Sequence, residues 1–292
     1  QYSIQNFSQI LAQTDLVVAN LETPLPDLPF TSPLDGKKPV ILWGDPSKTP
    51  KTLRKNNISV VSLANNHSLD YGSRGLQQTI NALENHGIQW IGAGLDESAA
   101  AQPLRFGYPL EGQPFRLVIA AGFGYWKSYD EKYEFYAKGG KAGTNAWTIA
   151  RASQQIRSIR QLNPDAFILA YPHWGTAYVW KSKNQTKLAH AIIDAGADLV
   201  LGHGAHLLQE IERYRGRWII YSLGDFVFNI VNKERNYKKN NMHPFSLLAR
   251  LDVKREKGMT KLSLRLYPIF SDNNITHFQP RFVTNKQFRG VK

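Results

Sequence analysis

The apolar residues of this chain fall in short unbroken runs, and in the first two-thirds those runs alternate with amphipathic ones. Residues Leu16–Leu21 (LVVANL), Ile58–Ala64, Ile88–Gly92, Asp165–Tyr171 and Asp198–Leu201 predict buried strands, because a strand covered on both faces shows little polar alternation. Thr49–Asn56, Ser73–His86, Trp147–Leu162 and Ser182–Ala195 carry the helical period. In the second of these, Leu76, Ile80 and Leu83 share a face and Gly87 is the stop signal. Leu104–Phe106 and Phe115–Phe123 read as strands around the turn-like LEGQP. Thr23–Lys51, rich in Pro, Asp and Gly, reads as loop, and the Gly-, Tyr- and Lys-rich segment Gly122–Gly143 reads as a loop over a site.

The last third is mostly strand. Leu208–Tyr214 and Arg217–Leu223 flank the turn Arg215-Gly216, and 246–253 and 260–268 flank Glu256-Lys257-Gly258. Strand–helix alternation followed by hairpins predicts an α/β chain with a central pair of sheets and helices outside. No repeat, linker or low-complexity segment interrupts it, so residues 1–292 are expected to form one domain.

Composition narrows the picture in a few places. The 292 residues are 42% hydrophobic and 12% aromatic, enough for a large core and unlike a disordered chain. No run of about 18 apolar residues is present to span a membrane. There are no cysteines, which excludes disulfides, thiolate metal sites and cysteine nucleophiles. The formal net charge of +13 suits a polyanionic partner, whether nucleic acid, anionic lipid or an acidic polymer. Part of that charge lies in Lys233–Lys239 (KERNYKK) and in the tail from Arg281. No recognised nucleic-acid module is visible, and the basic residues are not interleaved with aromatics, so nucleic acid is not the expected partner.

Four predicted strands end in polar clusters: Asn20 and Glu22; Asn65, Asn66, His67 and Asp70; His173; and His203 with His206. A buried strand end is costly for polar groups unless each has a partner, and it is also where α/β proteins build sites. Imidazoles, carboxylates and amide oxygens suit zinc, manganese or iron. His86, His190, His243 and His277 lack such neighbours and read as structural.

The motifs DLVVANLETPL, SLANNHSLDYG, YPHWGTAY and GADLVLGHGAHLLQEIE followed by GRWIIYSLGDFVFN resemble the CapA family of poly-γ-glutamate capsule biosynthesis proteins, over about Asp15 to Pro280. The family is similar in fold to calcineurin-like metallophosphoesterases, an αββα two-sheet sandwich flanked by helices. The resemblance implies metal ligands at Glu22, Asn66, His173, His203 and His206. It implies an acid at His67 oriented by Asp70, and substrate contacts from Asn20, Asn65, Trp174 and Tyr178. It further implies a divalent metal (Mn, Fe or Zn), an acidic polymer or its membrane synthase as partner, and an extracytoplasmic position tethered to the membrane by a segment outside this chain.

The chain departs from the family pattern at several places. The Gly-Asp strand that usually opens the family, with its ligand Asp, does not precede Val17. Ala177 replaces a Glu after HWG, Gly204 replaces a histidine, and Asp225 stands where Asn is common. Three readings stay open: a metal-dependent hydrolase or transferase of envelope-polymer biosynthesis, a non-enzymatic polyanion-binding accessory subunit with a degenerate metal site, and a phosphoesterase unrelated to capsule.

Overall fold

A computed structural model describes residues 2–27, 31–228, 245–284 and 286–287. The basic run Lys233–Lys239 and His243 lie outside the described residues. The chain order is α1 (Ser8–Ala12), β1 (Val17–Asn20), α2 (Lys48–Lys55), β2 (Ile58–Ser62), α3 (Gly72–Glu84), β3 (Gln89–Ile91), β4 (Ala93–Gly94), α4 (Glu97–Ala100), β5 (Leu104–Tyr108) and β6 (Phe115–Gly124). It continues with α5 (Lys127–Glu131), β7 (Gly143–Thr144), β8 (Ala146–Trp147), α6 (Ile149–Leu162), β9 (Phe167–His173), α7 (Lys183–Asp194), β10 (Leu199–Leu201), β11 (Ile211–Tyr214) and β12 (Arg217–Ile220). The last described elements are β13 (Phe245–Glu256), β14 (Met259–Phe270), α8 (Asn273–Thr276) and β15 (Arg281–Phe282).

Two sheets face each other. The smaller is parallel, in the order β1-β2-β3. The larger runs β11-β12-β10-β9-β6-β5, parallel at its centre and antiparallel at both ends, with β8 beside β6. Ala64, Ile91, Ile119, Ala121, Leu169 and Leu199 fill the space between the sheets. On the outer face of the small sheet, Leu76, Ile80 and Leu83 of α3 pack on Ile58 and Val61. On the outer face of the large sheet, Ile156 and Ile159 of α6 and Leu188 and Ile192 of α7 pack on Val118, Ile168 and Val200. The result is the expected αββα layering, and burial of these large aliphatic side chains, at about 1.5–3 kcal/mol each, is its main support.

Local signals explain the element boundaries. Thr148 caps α6 by accepting from the Arg151 N–H, and Ser182 with Gln185 forms a capping box at α7. The turn between β11 and β12 has Arg215 at φ 46° and Gly216 at φ 77°, the two positive values that a two-residue hairpin needs. The segment expected as a loop over the site contains structure: Gly122–Gly124 finishes β6, and α5 follows. All the parallel strands carry their carboxyl ends to one edge of the sandwich, and that edge holds the polar clusters.

Candidate functional site at the carboxyl ends of the strands

A relay of amides ties the ends of β1 and β2 together. The Asn65 side chain donates to Leu21 O (2.9 Å) and to Asn20 Oδ1 (3.0 Å). Its own oxygen accepts from His67 N (3.0 Å) and from the Ser68 hydroxyl (3.1 Å). Asn20 in turn donates to Glu22 Oε2 at 2.9 Å. Asn20 and Asn65, expected to contact substrate, are therefore spent on the scaffold: Asn65 is fully buried and fixes the turn that presents His67, and Asn20 aims Glu22.

From the other sheet, His173 and His203 stand side by side because β9 and the chain after β10 are parallel neighbours, with a backbone bridge at this pair. Their Nδ1 atoms are 3.0 Å apart, so one donates to the other. Burial and the neighbouring imidazoles hold His173 well below the usual histidine range. Burial and the charge of His206 lower His203 to about 3. Both are neutral at pH 7, the form in which imidazole binds cations.

Glu22 bridges the sheets: its Oε1 lies 3.5 Å from His206 Nε2 and 3.9 Å from His173 Nε2. Burial raises its pKa, opposed by His206 and His67. His206 sits at φ 56°, stacks on Tyr178 with ring centroids 5.6 Å apart, and pairs through Nδ1 with Asp225 Oδ1 at 2.8 Å. The Asp225 that replaces the family's Asn thus holds a histidine.

His67 belongs to a second buried unit that the sequence reading found only in part. Asp70 Oδ2 is 2.6 Å from His67 Nδ1 and also accepts from Leu42 N at 2.8 Å. Lys38, from the Pro-, Asp- and Gly-rich loop Thr23–Lys51, enters the site. Its Nζ donates to Asp70 Oδ1 (2.6 Å) and Val40 O (3.1 Å), lies 3.1 Å from His67 Nδ1, and faces the Phe135 ring at 5.4 Å. Burial lowers the Lys38 pKa, and Asp70 opposes that shift. Tyr129 of α5 was also missed. Burial raises its phenol, and the Asn66 side chain beside it pulls the other way. No spacing rule marks either residue: Lys38 comes in on a loop, and Tyr129 on the short helix α5.

Trp174 corrects another expectation. Alternation along β9 turns His173 toward the site and Trp174 to the opposite face, where it is 2% exposed, stacks on Tyr221 and donates to Tyr221 O at 2.7 Å. It is a packing residue, whereas Tyr178 remains at the site. His86 and His190 are structural as expected, bonded to Ala82 O and Glu212.

Among the described residues, two buried side-chain atoms have no partner: Asn66 Oδ1 and His203 Nε2. Leaving a buried acceptor unmade costs about 1–3 kcal/mol, so such atoms mark a place kept for something else. The donor types, imidazole, carboxylate and amide oxygen, fit a divalent cation. Their spacing does not complete a site, since among the described residues no three His, Asp or Glu converge closely enough to hold an ion. Gly204 bears on this. At φ 107°, a side chain here would place its Cβ 2.9 Å from His173 Nε2, so the histidine common in the family would need His173 to shift from its present place. No step is therefore derived through a metal.

Comparison with known proteins places the chain. Residues 1–230 match the family model of the bacterial capsule synthesis protein PGA_cap, so the chain belongs to that family. The match stops short of β13, whereas the motif resemblance was read to about Pro280. The PGA biosynthesis protein CapA of Bacillus subtilis (strain 168) is 30% identical over 229 residues, 77% of this chain and 56% of that protein. A probable polyglutamine synthesis accessory protein of Mycobacterium tuberculosis is 32% identical over 226 residues, 73% of this chain and 56% of that protein. The chain thus spans about half the length of these relatives. Among solved structures, a phosphatase from Mycoplasma pneumoniae aligns over 98% of this chain and 89% of its own, with 12% identity and a TM-score of 0.48.

Proposed function

We propose that this member of the PGA_cap family acts in the biosynthesis of poly-γ-glutamate or a related acidic envelope polymer, and that the carboxyl-end cluster is its reaction centre. The observation that carries the reading is the pair of unpartnered buried atoms, Asn66 Oδ1 and His203 Nε2, beside two neutral imidazoles and a carboxylate. Glu22, His173, His203, His206 and Asn66 supply donor types that a divalent cation takes, and would have to close in from their present spacing to hold one. The proton chemistry rests on this chain's own residues. The Asp70 carboxylate and the Lys38 ammonium fix the His67 ring, leaving Nε2 as the atom that can pass a proton to a leaving group. Tyr178, stacked on His206, lines the approach.

The polymer and its membrane synthase subunits are the partners this reading names, with an extracytoplasmic position and a tether outside this chain. Names of the relatives support the polymer; the basic charge of the chain supports an anionic one. Elemental analysis of the protein and its His203→Ala variant, with chain-length analysis of poly-γ-glutamate after incubation, tests the centre. Bound Mn, Fe or Zn with polymer cleavage or transfer, both lost in the variant, is the expected result. Neither metal nor chemistry in the wild type would sink the enzymatic reading and leave an accessory protein that binds polymer.

A further inference from the structure

At the opposite edge of the large sheet, the amino ends of the strands line an open groove of about 950 Å³. Its floor is the start of β6 and β9 and the loops before β9 and β10, and its outer wall is the tip of the β13–β14 hairpin. The hairpin lies past the family match at residue 230. Among the described residues, five arginines and three aspartates line the groove, with no lysine or glutamate.

The charges are not all spent internally. Arg160 and Arg217 both hold Asp198, at 2.6 and 3.0 Å, and Arg160 also donates to the carbonyls of Ala166 and Gly196, so these two build the floor. Arg215 pairs with Asp194 at 3.1 Å. Arg116 and Arg255 have no carboxylate partner among the described residues, and Arg255 donates only to the Thr260 hydroxyl at 3.0 Å. They stand on different parts of the groove, Arg116 on the floor at the start of β6 and Arg255 on the hairpin wall, which leans against the β5–β6 turn at Gly112. A guanidinium offers a planar fork that matches a carboxylate with two hydrogen bonds. Two such forks, one on the floor and one on the wall of an open trough, suit a chain bearing carboxylates at intervals better than they suit one small ion.

The geometry points to this groove as a second binding site, remote from the carboxyl-end centre, for a stretch of an acidic polymer of the poly-γ-glutamate kind held by Arg116 and Arg255. The inference rests on the polymer reading above and adds where the polymer is gripped. One edge of the sandwich would hold the chain while the other edge carries the chemistry.

Binding of fluorescently labelled poly-γ-glutamate at low and high salt tests it. Arg116→Glu with Arg255→Glu should weaken binding at low salt by about tenfold or more and flatten its salt dependence, because fewer counterions are released. Arg54→Glu with Lys55→Glu, the same charge change on exposed α2, should have a much smaller effect. Equal weakening by the α2 pair would mean general charge attraction, which overturns the inference. So does an oligonucleotide of matched charge that competes as well as the polymer. If Arg116→Ala with Arg255→Ala, unfolding at the wild-type temperature, binds like wild type, the groove fails and the polymer reading survives. If the wild type binds no polymer at low salt, both fail.

Discussion

The two edges of the same sandwich hold polar groups in opposite ways. At the carboxyl edge the groups are buried: His173 and His203 are neutral, and the Lys38–Asp70 ion pair is almost solvent-free, with side chains 3% and 0% exposed. At the amino edge the groups are guanidiniums, charged at any pH and mostly wet: the Arg217 and Arg215 side chains are 51% and 69% exposed. Burial makes the first set expensive to alter and sensitive to protons. Exposure makes the second cheap to alter and sensitive to salt. The chemistry each edge can perform follows: ligation and proton transfer at one, electrostatic capture at the other.

The largest expected effect lies at the buried edge. Asp70→Ala would leave the Lys38 ammonium without its counter-charge, and it would remove the acceptor for Leu42 N and for His67. Breaking one side of a buried pair costs about 3–5 kcal/mol. Chemical denaturation should show a loss of that size. A loss below about 1 kcal/mol would mean that the site is wetter than its packing implies and would erase the contrast between the edges.

Next in size is Gly204→Ala. The backbone there, at φ 107°, is disfavoured for any residue with a side chain, and the new Cβ would press on His173 at about van der Waals overlap. The expected cost is about 1–3 kcal/mol. The imidazole NMR signals of His173 should shift with it, and unchanged signals would show that the pair has room to give.

The His173–His203 pair also makes a pH signature that the arginine edge cannot make. Both folded-state pKa values lie below the unfolded value near 6.5, so the unfolded chain binds more protons in between. Stability of the chelator-treated protein should rise as pH climbs from about 3 toward about 6.5, and His203→Asn should flatten that rise. Glu22 acts with the other sign: burial raises its pKa, so its contribution is present at low pH and lost as pH rises through the folded value. Glu22→Gln should therefore steepen the net rise. A slope unchanged by His203→Asn would contradict the burial argument.

How much of this was legible in the sequence follows from how each residue reaches its place. Strands announce themselves as apolar runs, and a residue just past a strand end inherits the edge, so Glu22, Asn66, His67, His173, His203 and His206 could be brought together on paper. Side-chain direction is legible as well: period-two alternation from His173 turns Trp174 away from the site. Lys38 was not legible. It lies in an aperiodic loop, and its partner Asp70 is 32 residues away, a pairing that only the folded loop creates. The arginine groove was hidden for a similar reason. Arg116, Arg217 and Arg255 sit at strand ends scattered over 140 residues of chain, and composition reports them only as part of the net charge.

The smallest expected effect tests the exposed edge at the β11–β12 turn. Arg215 occupies φ 46°, which costs an ordinary side chain roughly 1 kcal/mol or more. It gains an exposed pair with Asp194 and a cation contact over the Tyr214 ring at 5.6 Å, each worth less than about 1 kcal/mol. Arg215→Ala keeps the strained backbone and loses the pair, so stability should fall by less than about 1 kcal/mol. Arg215→Asn also loses the pair, but it installs the Asn-Gly dipeptide that a two-residue hairpin prefers. Its stability should match or exceed that of wild type. The ordering of the two variants decides the point: if Asn is as destabilising as Ala, the ion pair outweighs the backbone, and the amino edge is held by its charges more firmly than their exposure predicts.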